Sequence, residues 1–189
     1  MRACAIVLTP SFLALCLAGI IGPPSAWAEE NSALGAFVGA YRCAIIDIIT
    51  RIHEQGDVEQ NRFFILSLEE RPSTNYVQCV FEDARETRMY CEAASGFFEH
   101  APGEPRDAFV SSPTRKALGR LGFSTDDSKG NFAVEIDIAG AASYGAVADL
   151  VLEALYLGYE ARAHSIIEVH SPILDQPELL LPMACPLVS

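Results

Sequence analysis

The sequence predicts an α+β fold in which an antiparallel sheet is flanked by two long helices. Three observations predict it. Apolar residues recur at three- and four-residue spacing in two long segments, between Ala33 and His53 and between Tyr144 and Tyr159. Three neighbouring segments between Arg62 and Ala94 alternate with period two instead. Turn-forming residues separate them: Gly56-Asp57, Pro72-Ser73 and the loop containing Pro102, Gly103 and Pro105. The expected order is helix, three-stranded meander, short helix, strand, long helix and tail.

The first 28 residues read as a secretory signal peptide. Arg2 is the positive flank, Ala5 to Ile21 is an apolar run, and Ala26-Trp27-Ala28 is a small-x-small cleavage site. An uncleaved anchor is the alternative reading. The run is short for a membrane span and Pro10 interrupts it, which favours cleavage after Ala28 and a secreted or periplasmic location. No later apolar run is expected to approach spanning length. Residues 29–189 then form one domain, long enough for a core of its own.

Losing Arg2 moves the formal net charge from −12 to −13. That acidity disfavours nucleic acid and anionic membranes as partners. The leader also holds Cys4 and Cys16, leaving Cys43, Cys79, Cys91 and Cys185. Four cysteines allow three connectivities. A hairpin turning near Arg85 sets Cys79 opposite Cys91, within disulfide reach at a non-hydrogen-bonded site. Cys43 is then left for Cys185. Reduced core thiols are the alternative for Cys79 and Cys91.

Each element has its own signature. Glu29 to Leu34 reads as a polar lead-in, with Asn31 or Ser32 as cap. Phe37, Tyr41, Ala44, Ile45, Ile48, Ile49 and Ile52 form the apolar stripe of the first helix. Phe64, Leu66 and Leu68 share one face of the first strand. Val77, Cys79 and Phe81 alternate against Tyr76, Gln78 and Val80 in the second. Met89, Cys91 and Ala93 alternate against Arg88, Tyr90 and Glu92 in the third. The latter set on each strand reads as the polar face, which turns the cysteines inward. Ser111 or Ser112 caps a short helix entered by Pro113, anchored by Leu118 and Leu121 and stopped at Gly122. Phe132 to Ile138 is a fourth strand. Val147, Leu150, Val151, Ala154, Leu155 and Leu157 stripe the second long helix. Ser165 to Val169 is one further apolar run. Pro172, Pro177, Pro182 and Pro186 preclude a regular helix in the tail, from about residue 173.

Catalytic motifs fail on inspection. His53-Glu54-Gln55-Gly56-Asp57 lacks the second histidine of a zincin. Gly140 and Gly145 have P-loop spacing, but Ala146 and Val147 stand where Lys and Ser/Thr are needed. Neither a CxxC pair nor a Gly-x-Ser-x-Gly elbow occurs. Asp126, Asp127, Ser128 and Asn131 read as a solvated turn rather than a calcium loop, with Gly130 at positive φ. His164, Glu168 and His170, at even spacing on an expected strand, are the one arrangement for a small-ligand or metal site. No cofactor and no catalytic residue is assigned.

Three stretches carry a family resemblance: YVQCVFEDARETRMYCEAASGF, LGFSTDDSKGNFAVEID and VADLVLEALYLGYEA. Together they resemble the TY-Chap domain family, which groups Tir-chaperone-like and YbjN-like proteins. The similarity covers about Ala33 to Pro172. It implies a type III secretion chaperone-like fold and a protein-binding, non-enzymatic role, with pairing as a homodimer. Those chaperones are cytosolic, whereas this chain reads as exported, so the binding role transfers and the secretion role does not. The expected binding surface is the face bearing Tyr76, Gln78, Tyr90 and Glu92, since tyrosine favours interfaces.

Overall fold

The structure, a computed structural model, describes residues 26–56, 62–82, 85, 87–99, 109–128, 130–183 and 185. The leader up to residue 25 lies outside them, as do His100, most of the loop before Phe109 and Pro186. The elements in order are α1 (Ala26–Gln55), β1 (Phe63–Leu68), β2 (Tyr76–Phe81), β3 (Arg88–Ala93), α2 (Ser112–Arg120), β4 (Phe132–Asp137) and α3 (Ala142–Glu153). A π-helical turn (Ala154–Gly158), β5 (Ile167–His170) and β6 (Glu178–Leu179) follow. The fold is mixed α+β, with six antiparallel strands in the order β4-β3-β2-β1-β5-β6.

All seven residues of the α1 stripe are buried, with Ile45, Ile49 and Ile52 fully so. Burying each such side chain contributes about 1.5–3 kcal/mol. They meet Phe64, Leu66, Val77, Cys79, Met89 and Cys91 from the inner face of the sheet. α3 carries the chain from the β4 edge back towards β5 and packs alongside α1. Arg42 and Asp149 tie the two helices at 2.7 Å. Gly145 makes room for this pair, since a Cβ there would stand 2.2 Å from the Arg42 guanidinium. The glycine with P-loop spacing is thus a packing residue.

Several sequence expectations need correction. α1 begins at Ala26, so Asn31 and Ser32 lie exposed inside the helix rather than capping it. Glu29 supplies first-turn negative charge, and Ala28, Glu30, Ala33 and Leu34 are good helix formers. Within α1, Ala28–Gln55 is long enough to cross a membrane and holds an 18-residue window of mean hydropathy 1.5, apolar enough to do so by composition, contrary to the expectation for the chain after Ala28. Its apolar stripe is nevertheless covered by the sheet. α3 and the π-helical turn after it bury Ala148, Leu152 and Tyr156 beyond the expected stripe, while Leu150 and Leu157 are only partly covered. The π-helical turn shifts the facing residues, and Gly158 there admits Leu118 of α2, 2.9 Å from where a Cβ would stand. Gly130 does not have positive φ; among the described residues the positive-φ glycines are Gly96, Gly122 and Gly140. The short helix is capped as read: Ser111 Oγ accepts from Thr114 N–H at 3.2 Å.

Both disulfides of the expected pairing are present, Cys79–Cys91 and Cys43–Cys185. Glu82 N–H donates to Arg88 and Ala94 N–H to Tyr76, so the intervening Cys79 and Cys91 form a non-hydrogen-bonded pair, with Cα atoms 4.1 Å apart. Cys43–Cys185 straps the tail to α1, helped by Met183 N–H donating to the Ala40 carbonyl at 2.9 Å. These disulfides and the apolar N-terminal helix fit an exported protein.

Candidate binding face

The helices gather on one side of the sheet, and the other side stays open among the described residues. Strand alternation sends Phe63, Ile65 and Ser67 of β1 to that open side. Tyr76, Gln78 and Val80 of β2, and Arg88, Tyr90 and Glu92 of β3, join them. The four sequence-predicted residues therefore share one surface on adjacent strands. Gln78 pairs with Glu92 across the ladder, and Val80 with Tyr90.

Their polar groups are largely spent on one another. Gln78 Nε2 donates to Glu92 Oε2, and Tyr90 Oη donates to Glu92 Oε1 at 3.2 Å. Burial raises the Tyr90 phenol pKa, and the Glu92 carboxylate adds to it. Tyr76 Oη turns to the end of the sheet and accepts from Asn131 Nδ2 at 2.7 Å. Burial raises its pKa too, against the lowering effect of that bond. Tyr76 is therefore partly a structural residue.

The Asn131 contact belongs to a joint built from the motif stretches. Ser95 N–H donates to Asn131 Oδ1 at 3.2 Å and Ser95 Oγ to the Gly130 carbonyl at 2.9 Å. Tyr159 Oη donates to the Ala94 carbonyl at 2.6 Å. Gly96 sits at φ +78°, where a Cβ would stand 2.3 Å from Phe109 Cβ. Ser95-Gly96, Gly130-Asn131 and Gly158-Tyr159 thus lock β3, the β4 entry and the end of α3 together. The motif residues in the joint are explained by folding rather than by chemistry.

What the face offers is shape. Phe63, Ile65, Val80 and Tyr90 border a recess of about 330 Å³ with a mostly apolar lining. Ile65, Ser67, Pro72, Tyr76, Gln78 and His170 border a second of about 340 Å³, sharing Ile65 and Gln78 with the first. Tyr90 leads on to a third of about 530 Å³ beside Phe123 and Ala133. The outward Phe63 and Ile65 correct the reading of this side as simply polar. Their signal was legible: β1 is apolar at both alternations, unlike a strand with a wet face.

The three residues of the alternative small-ligand or metal reading are not brought together on one strand. β5 begins at Ile167, leaving His164 in the preceding turn. Only Glu168 and His170 share the strand face, paired at 3.4 Å. No group of three His, Cys, Asp or Glu suited to a metal occurs among the described residues. Asp127 of the oxygen-rich turn is bound by Arg115 at 2.9 Å, and Asp126 accepts from Ser128 N–H. No family model, curated protein or solved structure matches the chain.

Proposed function

We propose that this chain is an exported, non-enzymatic module that binds another polypeptide through the open face of its sheet. The observation that carries the reading is the run of adjoining recesses across that face, bordered by Phe63, Ile65, Val80 and Tyr90. Apolar side chains at the centre of a sheet, with tyrosines beside them, are the composition of a docking surface. The TY-Chap resemblance points to the same role and to a chaperone-like fold. Under this proposal the leader is cleaved after Ala28 and the mature chain works in the periplasm or outside the cell. Ala28 is exposed and from there on the first buried residue of α1 is Phe37, so cleavage there would spare the core. Homodimer formation belongs to the same proposal: light scattering that returns the mass of one chain would remove it.

Photocrosslinking tests the binding role. A benzophenone amino acid placed at Val80 should give an adduct with a distinct polypeptide in exporting cells, and the same group at Asp47 on α1 should not. The adduct should vanish when Ile65→Asp is added. Adducts with this chain alone, or equal adducts from both positions, would count against a separate partner.

A further inference from the structure

Ser67 stands out on the open face. It is 3% exposed, yet its Oγ has no hydrogen-bond partner among the described residues. Ser67 and, from the turn after β1, Pro72 border the same recess as Ile65 and Gln78. A buried hydroxyl without a protein partner is unfavourable for the free protein. It lies one step along β1 from the apolar recess at Phe63, Ile65 and Val80.

Charge supplies a second, independent constraint. The carboxylates on this face are Glu82, Glu92, Glu135, Asp137 and Glu168. The arginine among them is already engaged, Arg88 with Glu82 and Glu135 at 3.8 and 3.4 Å, and His170 lies against Glu168 at 3.4 Å. An acidic partner would meet repulsion here, and a cationic one would gain on-rate and orientation.

We infer that the occupant of this face is a basic polypeptide segment. One apolar side chain enters the Phe63–Ile65–Val80 recess, and a neighbouring polar group completes the hydrogen bond of Ser67 Oγ. The inference rests on the proposed binding role and adds the chemistry of the partner.

The test uses the full mature chain and three fluorescein-labelled twelve-residue peptides: alternating Leu–Lys, alternating Leu–Glu and alternating Ser–Lys. Fluorescence anisotropy should show binding of the Leu–Lys peptide alone, weakening as salt is raised. Val80→Lys should abolish it, while Asp47→Lys on α1 should leave it unchanged. Ser67→Ala should weaken binding roughly two- to ten-fold, the worth of one hydrogen bond, while leaving or raising the Tm of the free protein. That divergence separates a ligand-facing hydroxyl from a structural one. Equal binding of the Leu–Glu peptide would overturn the charge assignment, and equal binding of the Ser–Lys peptide the apolar anchor. A Ser67→Ala variant with lowered Tm and unchanged affinity would overturn the role of Ser67. Binding of none of the three peptides would overturn the inference, while the crosslink at Val80 would still decide the binding role.

Discussion

The two disulfides should open in a fixed order under reductant. Cys79–Cys91 lies in the core with its cysteines 1% and 0% exposed. Cys43 is half-buried and Cys185 is exposed, so a thiol can reach the second bridge without unfolding the domain. The bridges also close very different loops, with separations of 142 and 12 residues. On the chain-entropy account, closure of the long loop stabilises by about 5 kcal/mol and of the short one by about 3 kcal/mol at room temperature. For a domain of this size each kcal/mol shifts Tm by roughly 2–4 °C, so opening the strap alone should lower Tm by about 10–20 °C. The assay is graded reduction of the folded protein, alkylation and peptide mapping, with a thermal melt at each step. Labelling should appear first on Cys43 and Cys185, with far-UV dichroism unchanged, and on Cys79 and Cys91 only with denaturant. Earlier labelling of Cys79 and Cys91, or an unchanged Tm after the strap opens, would refute the reasoning.

Three further outcomes follow from the packing. Gly96→Ala must place a Cβ against Phe109 at φ +78°, so it should lower stability by about 2–3 kcal/mol in a urea titration. Tyr159→Phe removes the bond to the Ala94 carbonyl and should cost about 1–3 kcal/mol at neutral pH. Burial also holds the Tyr159 phenol pKa well above 10.0, so wild-type stability is full below that value and falls as pH rises past it. Melts in alkaline buffer should show that fall shrinking in the variant. Burial, with Asp149 as a second cause, raises the Glu153 pKa above 4.5, so the protonated form is favoured by folding and this contribution is lost as pH rises through that range. Glu153→Gln should therefore raise Tm at pH 7 but hardly at acid pH.

Much of this fold is written in local periodicity. The α1 stripe is legible because one face meets one sheet, and all seven of its residues are buried as the spacing requires. The cysteine register is legible because a short hairpin has few ways to pair. β6 is not, since two residues between Pro177 and Pro182 carry no periodic signal; the strap at Cys185 holds that region in place. The far side of α3 is hidden for another reason. Gly158 and the π-helical turn let α2 approach closely, and both are tertiary effects. Tyr76, Gln78, Tyr90 and Glu92 do share the open face, but alternation could not show Glu92 satisfied by two neighbours or Tyr76 drawn to Asn131. Phe63 and Ile65 were legible as the second apolar alternation of β1, whereas the burial of Ser67 depends on β5 flanking β1, a tertiary pairing.

The docking face is tested most directly by calorimetric titration of the polypeptide captured at Val80, purified, into wild-type protein and into Val80→Lys. Val80 is exposed and its replacement leaves the core intact. A binding isotherm for wild type that disappears in Val80→Lys, with both proteins melting at the same temperature, is the predicted result. An isotherm of equal affinity in the variant would contradict it.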